Sequence, residues 1–485
     1  MAELRSTLAG LGYDAERLQA AFGSAVPPSR SAALQFVHAT RREDALAWLA
    51  RAFLAGLPIP AEAAARSWPE SLFANILDAG LCVEEQGTLV PRALLVPVAG
   101  RLFASDTPRL LESSQASGFV PPAHTHAARY LLDLMIRRPA ADVLDLGTGC
   151  GVHAVAATDF AERVVATDVN PRARAFAQFN AALNDLDAIE CLTGDLYEPV
   201  NGREFDLILS NPPFVPGPAR QYTYRDAGEE LDAVTQRVLR GGAVHLKPGG
   251  HLELLCEWVE IEGEPWQQRL AGWMTGLGCD AWVLRSPPQE PATYAAIRLS
   301  ELDTPQASQD RGRAYAEWLD YFSAHRVKAI HPGVIVLRRR RGRNWMQVHA
   351  IQREVRTGAG GAILENLRAC DFLAAHTRAE SLLDQVLAPA SDLAIEQSHR
   401  RAGDRWEVAG IRAWLTGGLP LDVELDPASA MLLREFDGRS TVAECLERFA
   451  NAIGEDFPEV RRRCQPALRL FLERGMLRPP AVARL

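Results

Sequence analysis

The chain has no pair of cysteines at C-x-x-C spacing. Its eight cysteines, Cys82, Cys150, Cys191, Cys256, Cys279, Cys370, Cys445 and Cys464, are scattered. That argues against a zinc site and against a disulfide framework. Most fall in apolar runs and are expected to act as small core residues. Long hydrophobic runs are missing too: no uncharged stretch reaches the about 20 residues that a membrane span needs. The opening residues, Met1 to Thr7, lack the apolar segment of a secretory leader. A cytoplasmic chain without a membrane partner is therefore expected. Positive charge is not in excess, with 52 Lys and Arg against 61 Asp and Glu and a net charge of −9. This excludes a uniformly basic nucleic-acid coat but leaves room for a local basic face. There is no internal repeat and no long low-complexity tract. At 485 residues the chain is too long for one ordinary domain, and about two to four are expected.

One further absence carries chemical information. The segment Val143-Leu-Asp-Leu-Gly-Thr-Gly-Cys-Gly151 reads as a buried strand, Val143 to Leu146, running into a glycine turn. A helix follows from about Val152 to Phe160, and helical periodicity over Arg129 to Arg138 suggests a neighbour for it. A dinucleotide fingerprint needs a third glycine three residues after the second. That position is Val152, so the fingerprint fails. Glycines at 147, 149 and 151 still permit close backbone approach to a ligand, and Cys150 serves there through its backbone. The next apolar run, Val164 to Thr167, ends in Asp168. An acid at the tip of the second strand of a doubly wound sheet accepts hydrogen bonds from ribose hydroxyls. A third strand, Ile189 to Thr193, leads to Gly194-Asp195, which reads either as a turn pair or as a ligand carboxylate.

The fourth strand, Phe205 to Ser210, delivers Asn211-Pro212-Pro213-Phe214. An Asn carbonyl and a backbone carbonyl in one turn can accept both N–H bonds of an NH2 group. Two prolines stiffen that turn, and Phe214 offers a flat face to a planar group. Tyr222 and Tyr224, just beyond, are placed either to close over an acceptor or to stand as plain surface-loop tyrosines. Ligands of open α/β sheets bind outside the carboxyl ends of the strands. The glycine loop, Asp168, Asp195 and Asn211 are thus expected on one rim.

On these residues the stretch from about 106 to 300 resembles class I S-adenosylmethionine-dependent methyltransferases of the small-domain type. Those carrying N-P-P-[FY] include release-factor glutamine N5-methyltransferases, ribosomal RNA guanine N2-methyltransferases and adenine N6-methyltransferases. The resemblance implies S-adenosylmethionine as cofactor, held by Asp145, Gly147, Thr148, Gly149, Gly151, Asp168, Gly194, Asp195 and Asn211. It implies no metal, and a catalytic group of Asn211, Pro212, Pro213 and Phe214. Residues Tyr224 to Ala233 are similar to the loop and helix start that follow the motif in the glutamine enzymes. Phe214 stands where those usually carry Tyr, and Val215 stands where the ribosomal RNA group commonly has histidine. The expected activity is methyl transfer to a planar NH2 of a macromolecule, foremost a protein glutamine amide. An RNA or DNA base is the alternative, and a non-catalytic cofactor-binding module a third reading.

The implied fold is α/β, a doubly wound, Rossmann-like seven-stranded sheet over residues 106–350. Ala281 to Arg285 is its sixth strand and Gly333 to Arg341 its seventh, with a helical insertion over 313–330 and an exposed connection over 301–312. The run Arg338 to Arg341 with Arg343 is read as a phosphate or acidic-protein contact, or as a charged sheet edge. Residues 1–105 read as helices followed by a hairpin, a winged-helix-like module or a helical cap. Residues 360–485 read as a second helical, winged-helix-like domain. Its helices span Ala428 to Phe436 and Glu459 to Arg474, and Ser440 to Glu444 opens a helix between them with a cap-like pattern.

Overall fold

The computed structural model describes residues 1–218, 222–226, 228–301, 305–351, 353, 355–378 and 380–479. They form two compact units, one made of 1–132 and 138–348, the other of 133–137 and 349–485.

In the first unit, residues 1–106 open with four helices, Ala2–Gly10, Ala15–Phe22, Arg30–Ala39 and Ala45–Phe53. A short strand Ile59–Pro60, helices Ala61–Ser67 and Glu70–Asp78, and the hairpin Cys82–Glu85 and Thr88–Pro91 follow. Thr88–Pro91 is central, flanked by the other two strands. The order is helix–strand–helix–helix–hairpin. The hairpin closes through Gln86 and Gly87, both at positive φ, as a two-residue turn matched to the strand twist requires. A second hairpin, Ala93–Val98 with Arg101–Asp106, forms its own sheet.

The central sheet has eight strands: β1 Ala140–Leu146, β2 Ala161–Asp168, β3 Ile189–Thr193, β4 Phe205–Ser210, β5 Leu246–Ile261, β6 Cys279–Arg285, β7 Val327–Arg339 and β8 Met346–Ala350. Their order is β8-β6-β7-β5-β4-β1-β2-β3. Strands β3, β2, β1, β4 and β5 run parallel, while β7 is antiparallel to both β5 and β6. The seventh strand lies between the fifth and the sixth, so β6 and β7 cross, and β8 extends the sheet beyond the seven expected strands. Helices α1 His126–Leu134, α2 Val152–Ala157, α3 Pro171–Leu183 and α4 Ala233–His245 accompany the parallel half. Apolar side chains from β1, β4, β5, β6 and β7 and from α4 share one core cluster.

The insertion differs from expectation. Helix α5 runs Pro305–Ala324 and β7 begins at Val327. Most of the expected connection is therefore helix, with 302–304 outside the described residues, and the end of the expected insertion is strand. The arginine run is largely tied down. Arg338 and Arg340 pair with the buried Asp280, and Arg339 with Glu204.

In the second unit, helix α6 Ala359–Ala375 carries the segment 133–137 against it. Thr357 Oγ1 donates to Asp133 Oδ1 at 2.8 Å, and a Cβ on Gly360 would lie 2.1 Å from the Met135 carbonyl oxygen. An antiparallel sheet of β9 Leu393–Ala402, β10 Arg405–Leu415 and β11 Asp422–Leu425 was not expected from a helical reading. Helices α7 Pro427–Arg434, α8 Val442–Ile453 and α9 Phe457–Glu473 complete the unit. Its core joins Ile411, Ala413 and Leu425 of the sheet to Phe449, Val460 and Phe471 of the helices.

Candidate functional site

The strand ends meet in register. Leu146 of β1 is opposite Thr167 of β2 and Ser210 of β4, and Asp168 is opposite Thr193 of β3. Ser210 Oγ donates to the Leu146 carbonyl at 3.0 Å, which locks β4 level with β1. The residues that leave these ends, Gly147, Asp168, Gly194 and Asn211, therefore emerge on one rim. A cavity of about 380 Å³ opens there.

Gly147, Thr148, Gly149, Asp168, Gly194, Asp195, Asn211, Pro212 and Pro213 all line this cavity, and Asp145, Gly151 and Phe214 do not. Asp145 lies beneath the loop, fully buried. Its Oδ2 accepts from Thr148 Oγ1 at 2.6 Å and from the Ala154 N–H at 3.0 Å, so it pins the loop to the start of α2. Burial pushes its carboxyl pKa upward. Oδ1 has no hydrogen-bond partner among the described residues. His153 Nδ1 stands 3.8 Å from it, while His153 Nε2 lies 3.0 Å from the Ala128 carbonyl, an arrangement that makes Nε2 the protonated nitrogen. Gly151, at φ 85°, caps α2, and a Cβ there would stand 3.1 Å from Ala177. Its role is helix packing. Phe214 turns away from the cavity into a cluster with Val215, Tyr294, Trp318 and Phe322.

Asp168 stabilises the loop and faces the cavity at once. Oδ2 accepts the Gly149 N–H at 2.9 Å, and Oδ1 accepts the Asn170 N–H at 2.8 Å. A carboxylate oxygen has more than one lone pair, so acceptor capacity remains on both. Burial raises its pKa, opposed by those two backbone donors. A Cβ on Gly149 would meet no atom within 4 Å, so the backbone there borders open space. Asp195 is half exposed and pairs with Arg237, whose guanidinium also holds Glu229. Among the described residues no hydrogen bond engages the Asn211 carboxamide.

Several lining residues escape the sequence reading. Ser117, Phe119, Pro121 and Thr125 come from the segment before α1, and Arg237 and Glu229 come from α4 and the loop before it. Ordinary spacing marks none of them. Tyr222 is buried rather than superficial. Its ring stands 5.9 Å from Tyr224, which stands 5.4 Å from Phe119, and burial pushes the Tyr224 hydroxyl up to about 12. The Thr223 N–H donates to the Ser117 carbonyl at 3.2 Å. Helix α5 backs this loop: Tyr321 Oη accepts the Leu231 N–H at 3.1 Å, and Trp318 fills the space beside Gly217.

A parallel sheet with a reversed seventh strand, a glycine loop after its first strand, an acid after its second and N-P-P-F after its fourth define a class I methyltransferase fold. The chain belongs to the methyltransferase small-domain family. The family profile described as "Methyltransferase small domain" matches residues 119–258. A release factor glutamine methyltransferase of Cereibacter sphaeroides is 33% identical over 214 residues, 41% of this chain and 68% of the relative. One of Xylella fastidiosa is 38% identical over 132 residues, covering 24% of this chain and 46% of the relative. The ribosomal RNA small subunit methyltransferase C of Erwinia tasmaniensis is 35% identical over 116 residues, covering 24% of this chain and 30% of its own length. The chain thus spans less than half of two of these three relatives. Residues 365–479 match a second profile, described as a domain of unknown function (DUF7782).

Proposed function

We propose that this protein is an S-adenosylmethionine-dependent N-methyltransferase whose acceptor is a planar NH2, foremost the side-chain amide of a protein glutamine. The observation that supports this reading is the shared rim. The glycine loop, Asp168, Asp195 and Asn211 line one cavity, with lone pairs to spare on Asp168 and no competing partner on the Asn211 carboxamide among the described residues. The release factor glutamine methyltransferases among the relatives favour glutamine over a base.

Residues Gly147 to Gly149 would hold the cofactor by close backbone approach, and Asp168 would take its ribose hydroxyls. Asp195 would meet the adenine amino group, for which Arg237 is a rival partner. When bound, S-adenosylmethionine supplies a methyl group on a positively charged sulfur that departs as a neutral thioether, so no acid is needed. Asn211 Oδ1 accepts one N–H of the acceptor amide and the Pro212 carbonyl accepts the other. This pair orients the nitrogen and disperses the positive charge that develops on it, after which a proton leaves to solvent. The effect is positioning with preorganised electrostatics. One such polar contact is worth about 2.7–4 kcal/mol in comparable sites. Phe214 acts from behind, anchoring the turn in the apolar cluster.

Transfer of tritiated methyl groups into cell extract tests the reading. Label that survives nuclease and is lost with protease is the expected outcome. Label that survives protease and is lost with nuclease would mean a nucleobase acceptor. An absence of labelling would favour a non-catalytic binding module.

A further inference from the structure

The C-terminal unit holds a feature that the methyl-transfer site does not use. In β9 and β10, one side of the ribbon begins inside the core: Ile411, Ala413 and Leu415 are buried there, opposite Gln397, Ile395 and Leu393. A bulge interrupts the register between Ser398 and His399, and beyond it the same side continues as His399 opposite Val408 and Arg401 opposite Trp406. Among the described residues nothing covers this continuation. From Glu396 to Ala402 and from Arg405 to Gly410 every residue is exposed. Trp406 is 71% exposed and Val408 45%. The ribbon closes in a two-residue turn with Gly403 at φ 61°.

The chemistry of this finger is unlike that of the chain around it. The protein carries a net charge of −9, yet the fingertip bears Arg400, Arg401, Arg405 and His399 against Asp404 and Glu407. Arg401 reaches Asp404 at 3.8 Å. Arg400 and Arg405 have no ion pair among the described residues. The side that carries Trp406 holds no carboxylate in either strand. An exposed indole on a bare two-stranded ribbon contributes no packing to the fold; Arg401 and His399 share its side, while Arg400, directly across from Glu407, and Arg405 lie on the other. Cross-strand neighbours stand about 5 Å apart, so Trp406 and Arg401 offer an aromatic face and a cationic group together.

We propose that this ribbon is a docking arm for single-stranded nucleic acid. A base stacks on Trp406 while Arg401, its cross-strand neighbour on the same side, meets the phosphates, and Arg400 and Arg405 add positive charge from the other side. This is the combination by which strands are held without sequence readout. A protein partner would have to bury Trp406 and Val408 beside a guanidinium that needs a carboxylate at a matching position. A nucleic-acid strand presents a flat apolar face and an anion at every step. The proposal is independent of the acceptor assigned to the methyl-transfer site, and its failure would leave that assignment standing.

Fluorescence anisotropy of the full-length protein with a fluorescein-labelled oligouridine of about 12 nucleotides tests it. Binding is expected, weakened about tenfold by Trp406→Ala and largely retained by Trp406→Phe. Arg401→Gln should reduce the slope of log affinity against log salt by about 0.7. These positions are exposed, so the variants should melt like the native protein. No binding by the native chain, or binding indifferent to both sets of variants, would overturn the arm. Displacement by polyglutamate as effective as by unlabelled oligouridine would also overturn it, in favour of an acidic protein partner.

Discussion

At the scale of single residues, the site rests on side chains whose direction is decided one position at a time. Asn211 follows the last residue of β4, level with the glycine loop, and its carboxamide is uncommitted among the described residues. Asn211→Ala should leave cofactor affinity near native while methyl transfer falls by about a hundredfold or more, the equivalent of one lost acceptor; isothermal titration beside single-turnover assays measures both. Asp168 should behave in the opposite way. Asp168→Ala removes both the loop anchor on Gly149 and the proposed ribose contact, and hydrogen bonds to a charged group are worth about 1.5–3 kcal/mol each. The cofactor dissociation constant should rise at least tenfold. Asp168→Asn, which keeps one acceptor oxygen for the loop, should lie between. These residues were legible because strand ends and turn residues announce the rim. Asp145, Gly151 and Phe214 belong to the same motifs but serve from beneath, since spacing names a residue without giving the direction of its side chain. Arg237 carries no local pattern at all, and Glu229 falls within the Tyr224 to Ala233 stretch without any signal that sets it apart there.

At the scale of elements, period and capping chemistry accounted for most helices and for the parallel strands. The segment Asp437 to Glu444 shows why. Asp437 accepts the backbone N–H of Arg439 at 2.8 Å and of Ser440 at 2.7 Å, and these donors hold its carboxyl down at about 2. Thr441 and Glu444 then form a reciprocal capping box at the start of α8. Thr441→Ala should cost about 1 kcal/mol, read as a shift in the urea midpoint of the C-terminal unit. The antiparallel sheet β9–β11 was not legible. Its outer half is solvated on both sides, so Glu396 to Arg401 reads as a polar loop, and the bulge near Ala409 breaks the alternation in β10. Helix α5 was placed too late in the sequence because its first turns are polar and only Trp318, Tyr321 and Phe322 mark its buried face.

At the scale of the molecule, both compact units bury neutral histidines. Burial lowers His251 from its usual 6.5 to about 3 and His349 likewise to about 3. A depressed folded pKa means that the unfolded chain takes up the proton first. Stability is therefore intact above pH 6.5 and declines as pH falls toward 3, by up to about 1.4 kcal/mol per pH unit for each group. Melting temperatures recorded between pH 7 and about 5 should fall steadily, and His251→Gln should flatten the decline in the first unit. The division of the chain has a consequence for truncation. Residues 133–137 lie upstream of the strand that ends in the glycine loop, yet they pack with 349–485, and Met135 and Ile136 are almost fully covered. A premature stop codon after 348 would not merely prune an appendage. It would uncover a short oily strap just ahead of the methyltransferase sheet, so loss of residues 349–485 by frameshift should leave Met135 and Ile136 bare to water in the chain that remains.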